Sequence, residues 1–312
     1  MRFTIKIDAN AKYPVITLTD SVSGCTAEIY AFGALLNKFT IPVNGQTVNT
    51  VEAFASVDDV IENITNGFKS AKLAPFTCRM NLGEYTFGEK KYKIEKHYIP
   101  PHAIHGIIYD GAFEVIATHA DEQNASVGLK LNYTGTDKGY PFPFEILVNW
   151  KLEKDNKLTV KSTVFHHNAH PVPYADGWHP YFTVGSGIDA STLQFSTDTM
   201  LEFDETLLPT GKKINDPRFV SGTSMNGIFL DNCFELKGEN PSCILSNDTL
   251  QLIIQPDTAY PYLQIYTPPH RNSIAIENLS GAPDCFNNGI GLTLLQPEKH
   301  YSFSTSYTLK TK

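Results

Sequence analysis

Ile146-Leu147-Val148-Asn149-Trp150-Lys151-Leu152 and Leu158-Thr159-Val160-Lys161-Ser162-Thr163-Val164 decide the fold, together with Glu153-Lys154-Asp155-Asn156-Lys157 between them. Apolar and polar residues alternate at period two on both sides, the pattern of strands with one buried face. The linking segment carries Asp and Asn, whose short side chains bond nearby backbone and tolerate left-handed φ. The stretch reads as a β-hairpin. The same alternation recurs at Phe3 to Ile7, Ala125 to Tyr133, Leu250 to Ile254, Tyr262 to Tyr266, Ser273 to Glu277 and Tyr301 to Leu309. One helical pattern stands apart, Val57 to Phe68. There Val60, Ile61, Ile64 and Phe68 fall at helical spacing and Ser56 is placed to cap the start.

Composition agrees with a turn-rich β protein. The 312 residues include 21 Gly and 19 Pro; 41% are hydrophobic, enough for a sizeable core, and 19% are charged, too few for a disordered chain. No linker or repeat divides the sequence. The expectation is an all-β chain, one large antiparallel β-sandwich over residues 1–312 with few short helices. The alternative is two β domains meeting near Asp189 to Asp216. A net charge of −8 with no basic run argues against nucleic acid and membrane surfaces as partners. No apolar run is long enough for a membrane helix, and the N-terminus lacks the apolar core of a signal peptide. The five cysteines form no CxxC, so free thiols in a reducing cytoplasm are expected.

Three segments break the strand pattern with clustered polar groups. In Cys78-Arg79-Met80-Asn81-Leu82-Gly83, leading on to His102-Ala103-Ile104-His105-Gly106, an Arg among apolar residues must find an acceptor or stay at the surface. The plain structural reading is an Arg paired with a structural carboxylate. In Asp176-Gly177-Trp178-His179-Pro180-Tyr181-Phe182, an aromatic wall could bring the His179 pKa near neutrality, where acid–base work is most efficient. The same His could equally be a core residue satisfied by a carbonyl. In Ser273-Ile274-Ala275-Ile276-Glu277, the carboxylate shares a small-residue face with Ala275 and Ser273, opposite Ile274 and Ile276. It reads as a group facing a ligand or as an ordinary exposed strand-end Glu. The histidines at 102, 105, 166, 167 and 170 have no specific metal-ligand spacing. There is no GxSxG elbow, no P-loop and no GxGxxG after a strand.

In this order, these segments resemble the aldose 1-epimerases, the galactose mutarotase-like family, over most of the chain. The resemblance rests on Arg79 followed by Gly and an aromatic, His105-Gly106, His179-Pro180-Tyr181-Phe182, Leu208-Pro209-Thr210-Gly211 and Asp231 about twenty residues on. It continues with Gln264-Ile265-Tyr266-Thr267 and with Glu277 before Gly281-Ala282-Pro283-Asp284. It implies the family's supersandwich fold and interconversion of the α and β anomers of a free aldohexose such as galactose or glucose, without cofactor or metal. By that resemblance Glu277 is the base and His179 the acid, and Arg79, His105, Asp231, Gln264 and Tyr181 bind the sugar. Trp178 is a second candidate for an apolar wall. Two departures stand out: Cys78 occupies a position where the family often has Asn, with Asn81 as a candidate replacement, and Pro268-Pro269-His270 stands where many members have Gly. The resemblance also implies a monomer or homodimer. The alternatives are a hexose-6-phosphate 1-epimerase, with Lys72, His102 and Arg271 as candidate phosphate-binding cations, and a non-catalytic sugar-binding protein on the same fold.

Overall fold

The computed structural model describes residues 1–312. Strands take up 49% of the chain and helices 6%, and every strand pairing is antiparallel. The 146–164 hairpin forms in the expected register, Ile146 facing Val164, Trp150 facing Val160 and Leu152 facing Leu158. Asp155 and Asn156 turn it, both at left-handed φ (62° and 55°), the twist that suits a tight hairpin.

That hairpin lies within a nine-stranded sheet. In spatial order its strands are Glu114–Ala120, Asn124–Tyr133, Phe144–Glu153, Lys157–Phe165, Tyr301–Thr311, Leu250–Pro256, Cys243–Ser246, Thr192–Phe195 and Thr223–Ser224. A second large sheet runs Pro209–Asn215, Thr199–Phe203, Asp231–Glu235, Tyr262–Tyr266, Ile274–Leu279, Gly177–His179, Ala71–Leu73, with Tyr181–Phe182 also paired to Ile274–Leu279. A five-stranded N-terminal meander, from Phe3–Asp8 to Gln46–Asn49, joins them. The inward alternating residues of all three sheets, among them Ile16, Leu18, Val127, Val148, Trp150, Trp178, Ile274, Ile276 and Tyr307, pack into one contiguous core. Burial of such side chains stabilises the fold by roughly 1.5–3 kcal/mol each.

The helix is shorter than its apolar pattern suggests. It spans Val57–Asn63, capped by Ser56, whose side chain accepts from the Asp59 amide. Asn66-Gly67 then breaks it, with Gly67 and Phe68 both at positive φ (86° and 54°). Phe68 nevertheless reaches the second core cluster with Val60 and Ile64, and its ring meets that of His105 at 4.7 Å. A second helix, Cys285–Asn288, is four residues long and leaves no periodicity to read.

Candidate active site

The cleft is built on one face of the second sheet. Its registers bring Cys233 opposite Gln264, Gln264 opposite Glu277, Asp231 opposite Tyr266, Tyr266 opposite Ala275, and Ala275 opposite Tyr181. The Gly177–Leu279 pairing, carried two residues along, sets His179 beside Glu277. The period-two rule puts Trp178 on the other face, where it packs edge-on against Trp150 in the core. Trp178 is therefore no wall of the cleft, whereas Tyr181 is.

A separate three-stranded sheet supplies the cover. Its strands Arg79–Met80 and His102–Ile104 pair, Ile104 with Arg79, and the His105 amide donates to the Cys78 carbonyl at 2.9 Å. Cys78 and His105 both have left-handed φ, 49° and 64°. Such backbone is costly for non-glycine residues and concentrates at functional sites. Gly106 follows at φ 75°, and a Cβ there would lie 2.3 Å from the Ala74 carbonyl oxygen. The His-Gly dipeptide thus has a steric reason: only Gly lets the chain pass Ala74 while presenting His105.

All seven residues anticipated from the sequence, Arg79, His105, His179, Tyr181, Asp231, Gln264 and Glu277, line one cleft of about 240 Å³, with Cys78 and Tyr266. These last two were not anticipated as lining. Tyr266 was accessible to sequence reasoning, since it lies two residues beyond Gln264 on the same strand face. Asn81 does not take the place beside Arg79: it is exposed, and its amide donates to Asp284 outside the cleft. A larger groove of about 470 Å³ lies near Tyr133 and Phe165. Its histidines are engaged elsewhere, His166 with the Leu295 carbonyl and His167 with Glu298.

At the floor of the cleft His179 Nε2 lies 3.3 Å from Glu277 Oε1, both side chains almost fully buried. Glu277 is thus not an exposed strand-end residue. The His179 Nδ1 atom is buried without a well-formed hydrogen bond. The Cys78 thiol donates to the other carboxylate oxygen, Oε2, at 3.8 Å. Gln264 Nε2 donates to Asp231 Oδ1 at 2.7 Å, and Arg79 Nη2 lies 3.8 Å from Asp231 Oδ2. The His105 and His179 rings meet edge to face at 4.7 Å, and Tyr181 stacks on His179 at 5.1 Å. The Gln264 Oε1 atom also lacks a partner.

Burial governs the ionisation of these groups. It pushes the Glu277 carboxyl well above its ordinary range, helped by the nearby Asp231 charge. It lowers the His179 imidazole to about 4 and His105 well below its usual value, the latter also by His179. Asp231 is raised by burial in spite of Arg79 and Gln264. Cys78 is raised by burial and by Glu277. The cleft therefore disfavours isolated charge and favours a single proton shared between Glu277 and His179.

The three cations considered for a sugar phosphate are engaged elsewhere. Lys72 is fully buried and paired with Asp176. His102 Nδ1 accepts from the Leu82 amide. Arg271 binds Asp189 and the Ile228 and Met225 carbonyls. His270 lies 3.6 Å from Glu52, which also binds Lys69 and Ser273.

The family model for aldose 1-epimerase matches residues 14–308. The chain belongs to the aldose 1-epimerase family. An aldose 1-epimerase of Streptococcus thermophilus is 25% identical over 199 residues, 62% of this chain and 56% of that one. The uncharacterized protein YihR of Escherichia coli K12 is 24% identical over 243 residues, 75% of this chain and 77% of that one. The crystal structure of a galactose mutarotase-like protein from Clostridium acetobutylicum superimposes with a TM-score of 0.87. It is 18% identical, with 100% of this chain and 99% of that one covered. The fold of this aldose 1-epimerase family member is the galactose mutarotase-like one, and the family is an isomerase family.

Proposed function

We propose that the protein is a mutarotase, interconverting the α and β anomers of a free aldohexose by ring opening and reclosure. The observation that carries this reading is the buried contact between Glu277 and His179 at the floor of a polar cleft. Opening the ring takes a proton from the C1 hydroxyl and delivers one to the ring oxygen. Glu277 as carboxylate takes the first and His179 as imidazolium gives the second. Rotation about C1–C2 and closure on the other face of the carbonyl reverse both transfers. The proton inventory of the pair is the same before and after. A protonated Glu277 beside a neutral His179 holds that same single proton, so the form favoured by burial and the catalytic form differ only in where it sits. Each transfer group contributes about 10²–10⁴-fold. The C1–O5 bond breaks and re-forms with proton transfers and no net change of oxidation state, so acid–base groups alone can carry the chemistry.

Asp231 and Gln264 suit pairs of ring hydroxyls, the carboxylate as acceptor and the amide as both donor and acceptor. Arg79 would steady negative charge on an opening oxygen. His105 offers a neutral imidazole, and Tyr181 an apolar edge with a hydroxyl. The engagement of Lys72, His102 and Arg271 elsewhere favours a free sugar over a 6-phosphate. We read residues 1–312 as one functional unit. Five buried free cysteines are in keeping with a reducing cytoplasm. The test is polarimetry on freshly dissolved α-D-galactose and α-D-glucose. Faster rotation change to the unchanged endpoint supports the reading. Sugar binding without acceleration would replace it with a sensor.

A further inference from the structure

We infer that the cleft is also a binding site for a borderline-soft divalent cation of the zinc type, held by Cys78, His105 and Glu277 and competing with the sugar. One ligand atom from each residue, a sulfur, an imidazole nitrogen and a carboxylate oxygen, lies within 4.8 Å of the other two. This donor set suits Zn²⁺, which binds Cys, His and carboxylate at about 2.0–2.3 Å and commonly keeps a fourth position open to water. All three side chains are more than nine-tenths buried.

Glu277 meets His179 through Oε1 and keeps Oε2, the oxygen beside the Cys78 thiol, for an ion. His105 has a buried Nδ1 with no hydrogen-bond partner. The thiol has a single long contact, to Glu277 itself. The two covering residues are fixed relative to one another by the bond from the His105 amide to the Cys78 carbonyl and by left-handed backbone at both positions. Tetrahedral coordination brings donors to roughly 3.3–3.8 Å of one another. On binding, the thiol gives its proton to solvent, the proton of Glu277 passes to His179, 3.3 Å away, or to solvent, and sulfur and carboxylate join the metal; no electron is transferred. The ion then holds the Glu277 carboxylate and occupies the cleft. Competition with sugar rests on the reading of this cleft as a sugar site; the metal binding does not.

Cobalt(II) is the probe, since its thiolate complexes absorb. Titration of the full chain is expected to give a thiolate-to-cobalt charge-transfer band and tetrahedral d–d bands at one equivalent, displaced by zinc. Cys78→Ser and Cys78→Asn are expected to lose the charge-transfer band, with folding checked by circular dichroism, and Cys243→Ala to keep it. His105→Gln is expected to weaken cobalt binding at least tenfold. With an aldohexose at ten times its own Kd, the apparent cobalt Kd should rise about elevenfold. No band in the wild type, or a band that survives in both Cys78 variants, overturns the site. A band unaffected by any aldohexose leaves the metal site standing and refutes competition. Accelerated mutarotation without a cobalt band refutes the metal site and leaves the proposed function intact.

Discussion

Two buried acid–base pairs, Lys72–Asp176 and His179–Glu277, lie close together at the second sheet, and they are built to opposite ends. Asp176 stands three positions before His179, and Ser280 three positions after Glu277. Asp176 pairs with Lys72, accepts from the Tyr174 hydroxyl at 2.8 Å and the Tyr260 hydroxyl at 2.6 Å, and its amide donates to Ser280 Oγ. The Lys72 ammonium sits 4.5 Å from the Trp178 ring centre, and burial lowers it to about 8 against the attraction of Asp176. Asp176 thus has a donor on each carboxylate oxygen. The His179–Glu277 pair has the reverse character: a 3.3 Å contact, one long thiol bond and a buried Nδ1 with no partner. A satisfied buried pair has nothing left to offer a ligand. An unsatisfied one is costly to the fold and available to chemistry.

The comparison is sharpened most by removing one member of each pair. Glu277→Gln and His179→Ala should each lower turnover at least about a hundredfold. Thermal melts should show Glu277→Gln as stable as the parent or more so at pH 8. The sign follows from the raised carboxyl: its stabilising protonated state is complete below the unfolded pKa and lost as pH rises through the folded one. Lys72→Met is expected to do the opposite, costing about 3–5 kcal/mol of stability in urea denaturation by stranding a buried Asp176 charge. Equal stability losses in Glu277→Gln and Lys72→Met would break the contrast. Tyr260→Phe, which removes one donor from Asp176, should cost about 1.5–3 kcal/mol and leave the mutarotation rate within about twofold.

Smaller effects probe the shared proton. Mutarotation kcat/KM should fall about tenfold per pH unit on either flank of a bell. The acid limb lies near pH 4, where His179 gains a proton while Glu277 is already protonated. The alkaline limb comes where Glu277 loses the last proton of the pair. A flat profile through pH 4 would separate His179 from the chemistry. The depressed imidazole also predicts that His179-linked stability, present above the unfolded pKa of about 6.5, is lost as pH falls toward 4. Asp231→Asn should raise KM by roughly tenfold with kcat changed less, as expected for a charge-assisted contact to hydroxyls. A loss confined to kcat would instead place Asp231 beside Glu277 in proton transfer.

The sequence by itself determined the strands, because side chains in a strand alternate between a buried face and an open one. Val127, Ile146, Trp150 and Tyr307 announce their positions in that way. It also determined the ordered string of Arg79, His105, His179, Asp231, Gln264 and Glu277, whose resemblance to one family named the cleft residues before any distance was known. Alternation placed Glu277 opposite Ile274 and Ile276 as well. Only the tertiary structure decided what covers that face. The open side of a strand is solvent or a cleft according to what another sheet lays over it, and here Cys78, Arg79 and His105 arrive from 172 to 199 residues away in sequence relative to Glu277. The helix end at Asn63, the left-handed backbone at Cys78 and His105, and the opposite fates of Trp178 and Tyr181 were likewise settled by packing. Local sequence carries the period of an element; desolvation and hydrogen-bond satisfaction depend on neighbours that the chain brings together only on folding.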